Sequence, residues 1–310
     1  MKTALLFPGQ GSQRVGMGRD LAIQFETAKR TYEEADDALG FAISKLCWDG
    51  PEDELTLTQN TQPAILTTSI AVFRVLKERG LQFDVVAGHS LGEWSALVAA
   101  GALPLREAVK LTNLRGQFMQ EAVPVGTGAM AAILGVDLPV VEELCRDAAQ
   151  GEILDVANIN SPGQIVIAGH RTAIERAVAL APARGGKRSV LLPVSAPFHC
   201  RLMAPAAKRL AEVLDTVRAG DPRPSVVRNV DAELSTRADD VRPFLVRQVT
   251  APVRWTDCVA RMAHEGCRTF LEVGPGKVLT GLLKRIDGSL TGFAVEDVAG
   301  LEKALAGLGG

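Results

Sequence analysis

Cysteine and histidine are scarce in this sequence of 310 residues, which has five cysteines and four histidines. The cysteines are far apart and form no Cys-x-x-Cys pair; they are Cys47, Cys145, Cys200, Cys258 and Cys267. Zinc sites and disulfide frameworks need closely spaced or regularly paired cysteines. The sequence therefore predicts reduced thiols, as in a cytoplasmic protein, and no metal site.

An excess of charge of one sign and long apolar runs are also absent. The formal net charge is -2, with Lys and Arg spread along the chain, so we expect no basic surface for nucleic acid or an anionic membrane. No stretch approaches the length of a transmembrane helix. The first apolar run ends at Pro8 and is too short for a secretory signal peptide.

The composition that is present is typical of a globular protein, with 47% apolar and 23% charged residues. The length predicts roughly two domains. Short apolar runs alternate with helical patterns, and this strand-turn-helix order predicts an α/β fold. The first predicted strands lie at 3–7 and 84–88, and the first predicted helices lie at 20–39, 61–79 and 91–100.

The segment 126–195 has a different order of elements. Apolar runs and helical patterns follow one another as β-α-β-β-α-β, with the turn Ser161-Pro162-Gly163-Gln164 between the two middle strands. This is the order of the ferredoxin-like unit. We therefore predict a small ferredoxin-like domain at 126–195, inserted into a large domain formed by 1–125 and 196–310.

The motif Gly88-His89-Ser90-Leu91-Gly92 stands between a predicted strand and a predicted helix. In this context a G-x-S-x-G motif places the serine on a sharp turn, where flanking glycines avoid neighbouring backbone. The helix N-terminus favours developing negative charge, and the amide of Leu91 would point at an oxyanion. Ser90 is predicted to be a nucleophile, and the alternative is that it only caps the helix.

A serine nucleophile needs a base, and histidine is the usual one. Three of the histidines have a structural explanation. His89 adjoins the serine and should point away from its hydroxyl, His170 ends a strand of the small domain, and His264 lies near a helix C-terminus. His199, where the chain re-enters the large domain, is therefore the favoured base.

Arg115 lies on the apolar face of a predicted helix that begins at Leu105. Its neighbours on that face are Ala108, Leu111, Thr112, Phe118 and Met119, and no acidic residue lies three or four positions away. A buried, unpaired guanidinium costs on the order of several kcal/mol. Either a carboxylate binds there through two hydrogen bonds, or the side chain reaches solvent or pairs with a distant Asp or Glu.

Several motifs follow one another along nearly the whole chain: Phe7-Pro8-Gly9-Gln10-Gly11-Ser12-Gln13, the Ser90 motif, Arg115 with Met119, Asn158-x-Asn160-Ser161-Pro162-Gly163-Gln164, His199, Gln248 and Glu272-Val273-Gly274-Pro275-Gly276. This ordered set resembles that of the malonyl-CoA:acyl carrier protein transacylases. The resemblance implies an α/β-hydrolase-like large domain that carries the ferredoxin-like small one.

The resemblance also implies catalytic roles for matching residues. Ser90 would be the nucleophile and His199 the base, with the imidazole oriented by the backbone carbonyl of Gln248 instead of an acidic side chain. The amides of Gln10 and Leu91 would form the oxyanion hole.

Four further residues are predicted at the substrate-binding part of the site. Arg115 would bind the malonyl carboxylate, and Asn160 would be structural or line the cleft. The bulk of Phe198 with Met119 is expected to disfavour a methyl branch on the acyl group.

The predicted function is transfer of a malonyl group from malonyl-CoA to the phosphopantetheine thiol of an acyl carrier protein, through a Ser90 ester. The reaction would be ping-pong, would serve fatty acid or polyketide biosynthesis, and would need no cofactor, because malonyl-CoA is a substrate. The alternative is a serine hydrolase of acyl thioesters with a triad of Ser90, Asp155 and His199. A scaffold that only docks carrier proteins gives no reason for the Ser90 turn or for Arg115.

Overall fold

The computed structural model describes residues 2–308 and contains two β-sheets covered by helices, so the predicted mixed α/β class is confirmed. The strands in this range are β1 (Lys2–Phe7), β2 (Val85–Gly88), β3 (Gly128–Leu134), β4 (Leu154–Ser161), β5 (Gln164–His170), β6 (Arg188–Leu191), β7 (Ser225–Val227), β8 (Leu234–Ser235), β9 (Cys267–Val273) and β10 (Thr291–Val295). The α-helices are α1 (Arg19–Gln24), α2 (Glu26–Leu39), α3 (Ile43–Asp49), α4 (Glu52–Thr56), α5 (Thr58–Glu78), α6 (Leu91–Ala99), α7 (Leu105–Glu121), α8 (Leu138–Ala149), α9 (Arg171–Leu180), α10 (Ala204–Leu214), α11 (Ala238–Gln248), α12 (Trp255–His264), α13 (Val278–Ile286) and α14 (Val298–Leu308).

The larger sheet has the strand order β10-β9-β1-β2-β7-β8 and is parallel except for β8. In its centre, Leu5 pairs with Val86 on one side and with Leu271 on the other. Because successive side chains of a strand point to opposite faces, Leu5 packs into one hydrophobic cluster, and Ala4 and Leu6 pack into another. Burial on both faces explains why these strands are continuous apolar runs in the sequence.

The carboxyl ends of β1, β2 and β9 lie side by side, because the three strands are parallel neighbours. The loops that follow them are close together. A Cβ atom at Gly9 would lie 2.5 Å from the carbonyl oxygen of His89, so only glycine fits there. Ser90 follows β2 at this same edge, where ligands bind in open parallel sheets.

The smaller sheet is antiparallel and has the order β4-β5-β3-β6. Helix α8 follows β3 and helix α9 follows β5 along the chain, and both pack against this sheet through a separate hydrophobic cluster. Val141 and Leu144 of α8 and Ile174 of α9 meet Ile133 and Ile167 of the sheet there. All four strands lie within the segment 126–195.

Backbone hydrogen bonds join the smaller sheet to the loop between α11 and α12, outside the segment 126–195. The amide of Ile159 in β4 donates to the carbonyl of Val253 at 2.9 Å, and the amide of Val253 donates to the carbonyl of Ala157 at 2.9 Å. Val253 belongs to the loop between α11 and α12. This junction places one edge of the smaller sheet beside the end of α11, which is Gln248.

Two predicted helices were wrong in detail. The helix predicted at 20–39 is broken at Phe25, whose backbone is extended at φ -124° and ψ 116°. The ring of Phe25 packs on the core and lies under the guanidinium of Arg79.

The helix predicted from 61 begins at Thr58, upstream of Pro63. Proline removes a hydrogen bond to Gln59, and Asn113 instead donates to that carbonyl at 2.8 Å. The sequence analysis made no prediction for α3, α4, α11, α13, α14, β8 or β10.

Among the helices of residues 2–308, none is long and apolar enough to cross a membrane.

Candidate active site

Ser90 lies on the turn between β2 and α6, with φ 52° and ψ -105°. This left-handed conformation is rare for a residue with a side chain and marks stored backbone strain. A Cβ at Gly88 would lie 1.9 Å from the carbonyl oxygen of Gly92, and a Cβ at Gly92 would lie 2.0 Å from that of Phe7. Both glycines of the motif are therefore required by close backbone packing.

The Ser90 hydroxyl and His199 form a hydrogen bond. Ser90 Oγ lies 2.7 Å from His199 Nε2, and His199 Nδ1 lies 2.9 Å from the backbone carbonyl oxygen of Gln248. Because a carbonyl oxygen only accepts, Nδ1 carries the hydrogen and Nε2 is the acceptor for the serine proton. The structure thus brings together the serine, the histidine and the orienting carbonyl that the sequence analysis selected.

The imidazole of His199 is held in its neutral form. Burial, followed by the positive charge of Arg115, lowers the pKa of His199 to about 3, against an ordinary value of about 6.5. At neutral pH the ring is therefore free to accept a proton. Because the folded pKa lies below the unfolded one, the unfolded chain binds an extra proton on His199 as the pH falls. The stability contributed by this group is present above about pH 6.5 and is lost towards about pH 3.

The rate of ester formation on Ser90 should therefore stay level as the pH falls through the ordinary histidine range near about 6.5. His199 remains deprotonated there and can still act as a base. The measurement is single-turnover acylation from pH 8 to pH 5, with circular dichroism at each pH to show that the protein is folded. An acid limb centred on the ordinary histidine value would contradict this assignment.

Arg115 is buried in the same site and is bound by neutral groups only. Its Nη1 donates to Gln62 Oε1 at 2.7 Å, and its Nη2 donates to Gln248 Oε1 at 3.0 Å and to Ser90 Oγ at 3.2 Å. Its Nε is buried and has no hydrogen-bond partner among the described residues. Burial lowers the pKa of Arg115 to about 10, so it remains a cation at neutral pH. The first of the two alternatives for Arg115, an incoming carboxylate, fits a buried guanidinium that no carboxylate of the described residues contacts directly, while the buried Glu93 is near enough to raise its pKa.

The serine, the histidine and the arginine line one cavity of about 120 Å³. Of the other predicted site residues, this cavity is lined by Gln10, Leu91, Met119 and Phe198. Leu91 begins α6, where the first backbone amides have no partner within the helix. Gln10 is exposed, and its side-chain amide donates to Thr58 Oγ1 at 3.2 Å. The rest of the lining comes from Gln62 and His89 and from residues in the smaller sheet or just after its last strand, which are Met130, Asn158, Leu192 and Val194.

Asn160 forms a hydrogen bond with His89, which lines the cavity. His89 Nε2 lies 2.9 Å from Asn160 Oδ1, so the imidazole is turned towards the smaller sheet, as expected for a residue that adjoins the nucleophile. Burial lowers the pKa of His89. Asn160 itself does not line the cavity within the described residues, whereas Asn158, two positions earlier on β4, does.

The alternative triad with Asp155 is wrong. Both carboxylate oxygens of Asp155 accept hydrogen bonds from Arg201, at 2.8 Å from its Nη2 and 2.9 Å from its backbone amide. His199 Nδ1 instead binds the carbonyl of Gln248. The spacing in the sequence allowed the triad, but the ion pair directs the carboxylate away from the imidazole.

Three buried residues of the site were missed by the sequence analysis. Gln62 binds Arg115, Asn229 binds the backbone amide of Ser90 at 2.7 Å, and Glu93 binds Asn229 at 3.0 Å. Glu93 follows the serine motif by one position in the sequence, and that proximity was the one available signal. The other two come from distant helices and loops.

A serine on a strand-helix turn, with a histidine and a buried guanidinium at its hydroxyl, is an arrangement typical of enzymes that transfer acyl groups. The chain matches the model of the acyl transferase domain over residues 4–307 and belongs to this family.

The relatives identify the branch of the family that the chain resembles. It is 50% identical over 300 residues to the malonyl CoA-acyl carrier protein transacylase of Haemophilus influenzae, with 96% of each chain covered. Its structure is similar to that of an acyl carrier protein S-malonyltransferase from Vibrio cholerae, with a TM-score of 0.96 and 50% identity over 98% of this chain and 100% of that one. It is also similar to a malonyl-transacylase solved in complex with its type II PKS acyl-carrier protein, with a TM-score of 0.97 and 48% identity over 99% of this chain and 100% of that one.

Proposed function

We propose that this chain transfers a malonyl group from malonyl-CoA to the phosphopantetheine thiol of an acyl carrier protein, through an ester on Ser90. The observation that carries the proposal is that Ser90 Oγ contacts a neutral imidazole at 2.7 Å and a buried guanidinium at 3.2 Å. The first contact suits proton removal from a nucleophile, and the second places a cation beside the acyl group. The relatives support the same activity, because they are named as malonyl transacylases over nearly the full length of this chain.

In the first half of the reaction, His199 Nε2 takes the proton of Ser90 Oγ as the oxygen attacks the thioester carbon. The amides of Gln10 and Leu91 would stabilise the negative charge that develops on the carbonyl oxygen. The carbon-sulfur bond then breaks, and the coenzyme A sulfur leaves as a thiol with the proton from His199. The Ser90 ester remains.

In the second half, the thiol of the carrier attacks the ester carbon and gives its proton to His199. The bond between Ser90 Oγ and the acyl carbon breaks, and the proton returns to the serine. Throughout, Arg115 would hold the malonyl carboxylate by two hydrogen bonds and align the acyl group for the incoming thiol. The apolar wall formed in part by Met119 and Phe198 leaves few groups that could position water for hydrolysis.

The same wall is expected to disfavour a methyl branch on the acyl group. Parallel acylation assays with malonyl and methylmalonyl donors test this, and equal rates would contradict it.

The two-sheet architecture supports a finer description of the fold. We propose an α/β-hydrolase-like domain of 1–125 and 196–310, and a ferredoxin-like domain of 126–195 that closes over Ser90. The antiparallel order β4-β5-β3-β6 with two helices on one face agrees with the ferredoxin-like unit. The proposed reaction needs no cofactor, and the proposed location is the cytoplasm.

Intact-protein mass spectrometry tests the function directly. After mixing with malonyl-CoA, the protein should gain the mass of one malonyl group, and the added mass should move to holo acyl carrier protein when this is supplied. Carriers from fatty acid and polyketide assembly, tested in parallel, would assign the acceptor. Rapid loss of the ester in buffer without any carrier would instead identify a thioester hydrolase, and the absence of an ester would contradict both activities.

A further inference from the structure

We propose that Glu93 is a positioning residue of this site, because it holds Asn229 and Gln248 in the orientations that the reacting groups need. The inference rests on the proposed function. Glu93 lies in the first turn of α6, one residue beyond the motif that carries Ser90, and is 3% exposed. It does not line the cavity, so it would act through its two partners.

One oxygen of the Glu93 side chain receives both hydrogen bonds. Oε2 accepts from the backbone amide of Asn229 at 3.0 Å and from Gln248 Nε2 at 2.7 Å. Both donors are neutral, and both are fully buried. If this acceptor were lost, two buried N–H groups would lack their partner, and each would cost about 1–3 kcal/mol until the local structure rearranged.

Asn229 connects Glu93 to the strained turn. Its Oδ1 accepts from the backbone amide of Ser90 at 2.7 Å, and its Nδ2 donates to the carbonyl of Gly88 at 2.7 Å. The side chain of Asn229 therefore spans both ends of the turn that stores the strain. Because Glu93 fixes the backbone of Asn229, it also fixes the point from which this side chain reaches the turn.

Gln248 connects Glu93 to the base and to the guanidinium. Its Nε2 donates to Glu93 and to the carbonyl of Ser90 at 3.0 Å, which turns its Oε1 towards Arg115 at 3.0 Å. If the amide were reversed, its NH₂ group would face the guanidinium, and two donors would oppose each other. The acceptor at Glu93 thus selects the amide orientation that Arg115 requires. The backbone carbonyl of the same residue orients His199.

The role requires an acceptor and not a negative charge. Burial raises the pKa of Glu93 to about 7, so the ionised and the neutral carboxyl are both populated near neutral pH. Oε2 can accept in either form when the proton is carried by Oε1. A glutamine at position 93 could place its amide oxygen where Oε2 lies, whereas a leucine of similar size could not accept.

The experiment compares Glu93→Leu with Glu93→Gln. The measurement is the single-turnover rate of ester formation with malonyl-CoA and with acetyl-CoA, per folded molecule. Glu93→Leu should lower both rates by about 100-fold, the loss expected when a reacting group is misplaced by about 1 Å. Glu93→Gln should stay within about tenfold of the wild type for both donors, which is the scale of one hydrogen bond. A defect confined to the carboxylate clamp would affect the malonyl donor alone.

Glu272→Leu is the matched control. Glu272 is also a fully buried carboxylate, and it accepts from the amides of Leu279 and Thr280 at 3.0 and 2.7 Å, away from the cavity. Its loss should lower thermal stability but leave the acylation rate per folded molecule near that of the wild type.

Several results would overturn the inference. They are wild-type rates in Glu93→Leu, equal losses in Glu93→Gln and Glu93→Leu, or an equal loss in the Glu272 control. If Glu93→Leu does not fold, a hundredfold loss in folded Glu93→Gln overturns the inference by itself. Absence of an ester in the wild-type protein would overturn the proposed function, and this inference with it.

Discussion

Replacing Ser90 by alanine is expected to abolish the acyl ester and to lower malonyl transfer by on the order of 10⁴- to 10⁶-fold, the loss typical of a serine nucleophile. No other hydroxyl is placed within 2.7 Å of the imidazole of His199 in the described residues. The measurement is the mass of the protein after mixing with malonyl-CoA, together with the rate of malonyl transfer to the carrier. A malonyl ester of normal yield on Ser90→Ala would contradict the mechanism.

Two further variants make this test specific. Ser95→Ala, on the same helix, removes a buried hydroxyl that has no hydrogen-bond partner and should leave the ester yield unchanged. His199→Ala should be almost as inactive as Ser90→Ala, and the double variant should lose little more. Residues that act as one unit in a reaction give such non-additive losses.

Replacing Arg115 by alanine is expected to lower the rate of acylation by malonyl-CoA by about 10²- to 10³-fold, which corresponds to about 3–4 kcal/mol and is of the order of the loss of one partner of a buried ion pair. Acylation by acetyl-CoA should be retained or should increase. Acetyl has no carboxylate for Arg115 to hold, so in the wild-type protein the guanidinium would stay buried beside it without an anionic partner. The measurement is the ratio of the two acylation rates under identical conditions. Unchanged malonyl turnover would refute the carboxylate clamp.

The same substitution should also change the pH profile. The charge of Arg115 is the second-largest cause of the low pKa of His199, after burial. In Arg115→Ala the acid limb of acetyl transfer should therefore move to higher pH. Arg106→Ala is the control, because Arg106 lies on the same helix but is half exposed; it should change neither the ratio nor the profile.

The elements and residues that depend on local pattern could be predicted from the sequence. The Ser90 turn could be recognised because its glycines are required by backbone contacts within the motif and with β1. The β-α-β-β-α-β order of elements along the segment 126–195 followed from apolar runs, helical patterns and one turn. The position of Arg115 on an apolar helix face could likewise be derived from helical periodicity, and the structure finds it 2% exposed.

The errors arose where contacts between distant segments outweighed local pattern. The helix break at Phe25 accompanies packing of its ring on the core, which a helical pattern does not contain. Asp155 was a possible triad member by its order in the chain, but its ion pair with Arg201 determines where its carboxylate points. Glu93 and Asn229 gave no sign of their connection, because their hydrogen bond joins residues 136 positions apart.

By itself, the sequence determined that this is an α/β protein with a serine turn and an arginine on the apolar face of a helix, and its likeness to its relatives determined the family. These features follow from periodicity, glycine placement and ordered motifs, which are properties of neighbouring residues. Only the tertiary structure showed that the favoured histidine, 109 positions away, reaches the hydroxyl of Ser90, and that the side-chain amides of Asn229 and Gln248, 139 and 158 positions away, bind its backbone. Hydrogen bonds act only over about 3 Å, so such partners are chosen by how the two sheets and their helices pack.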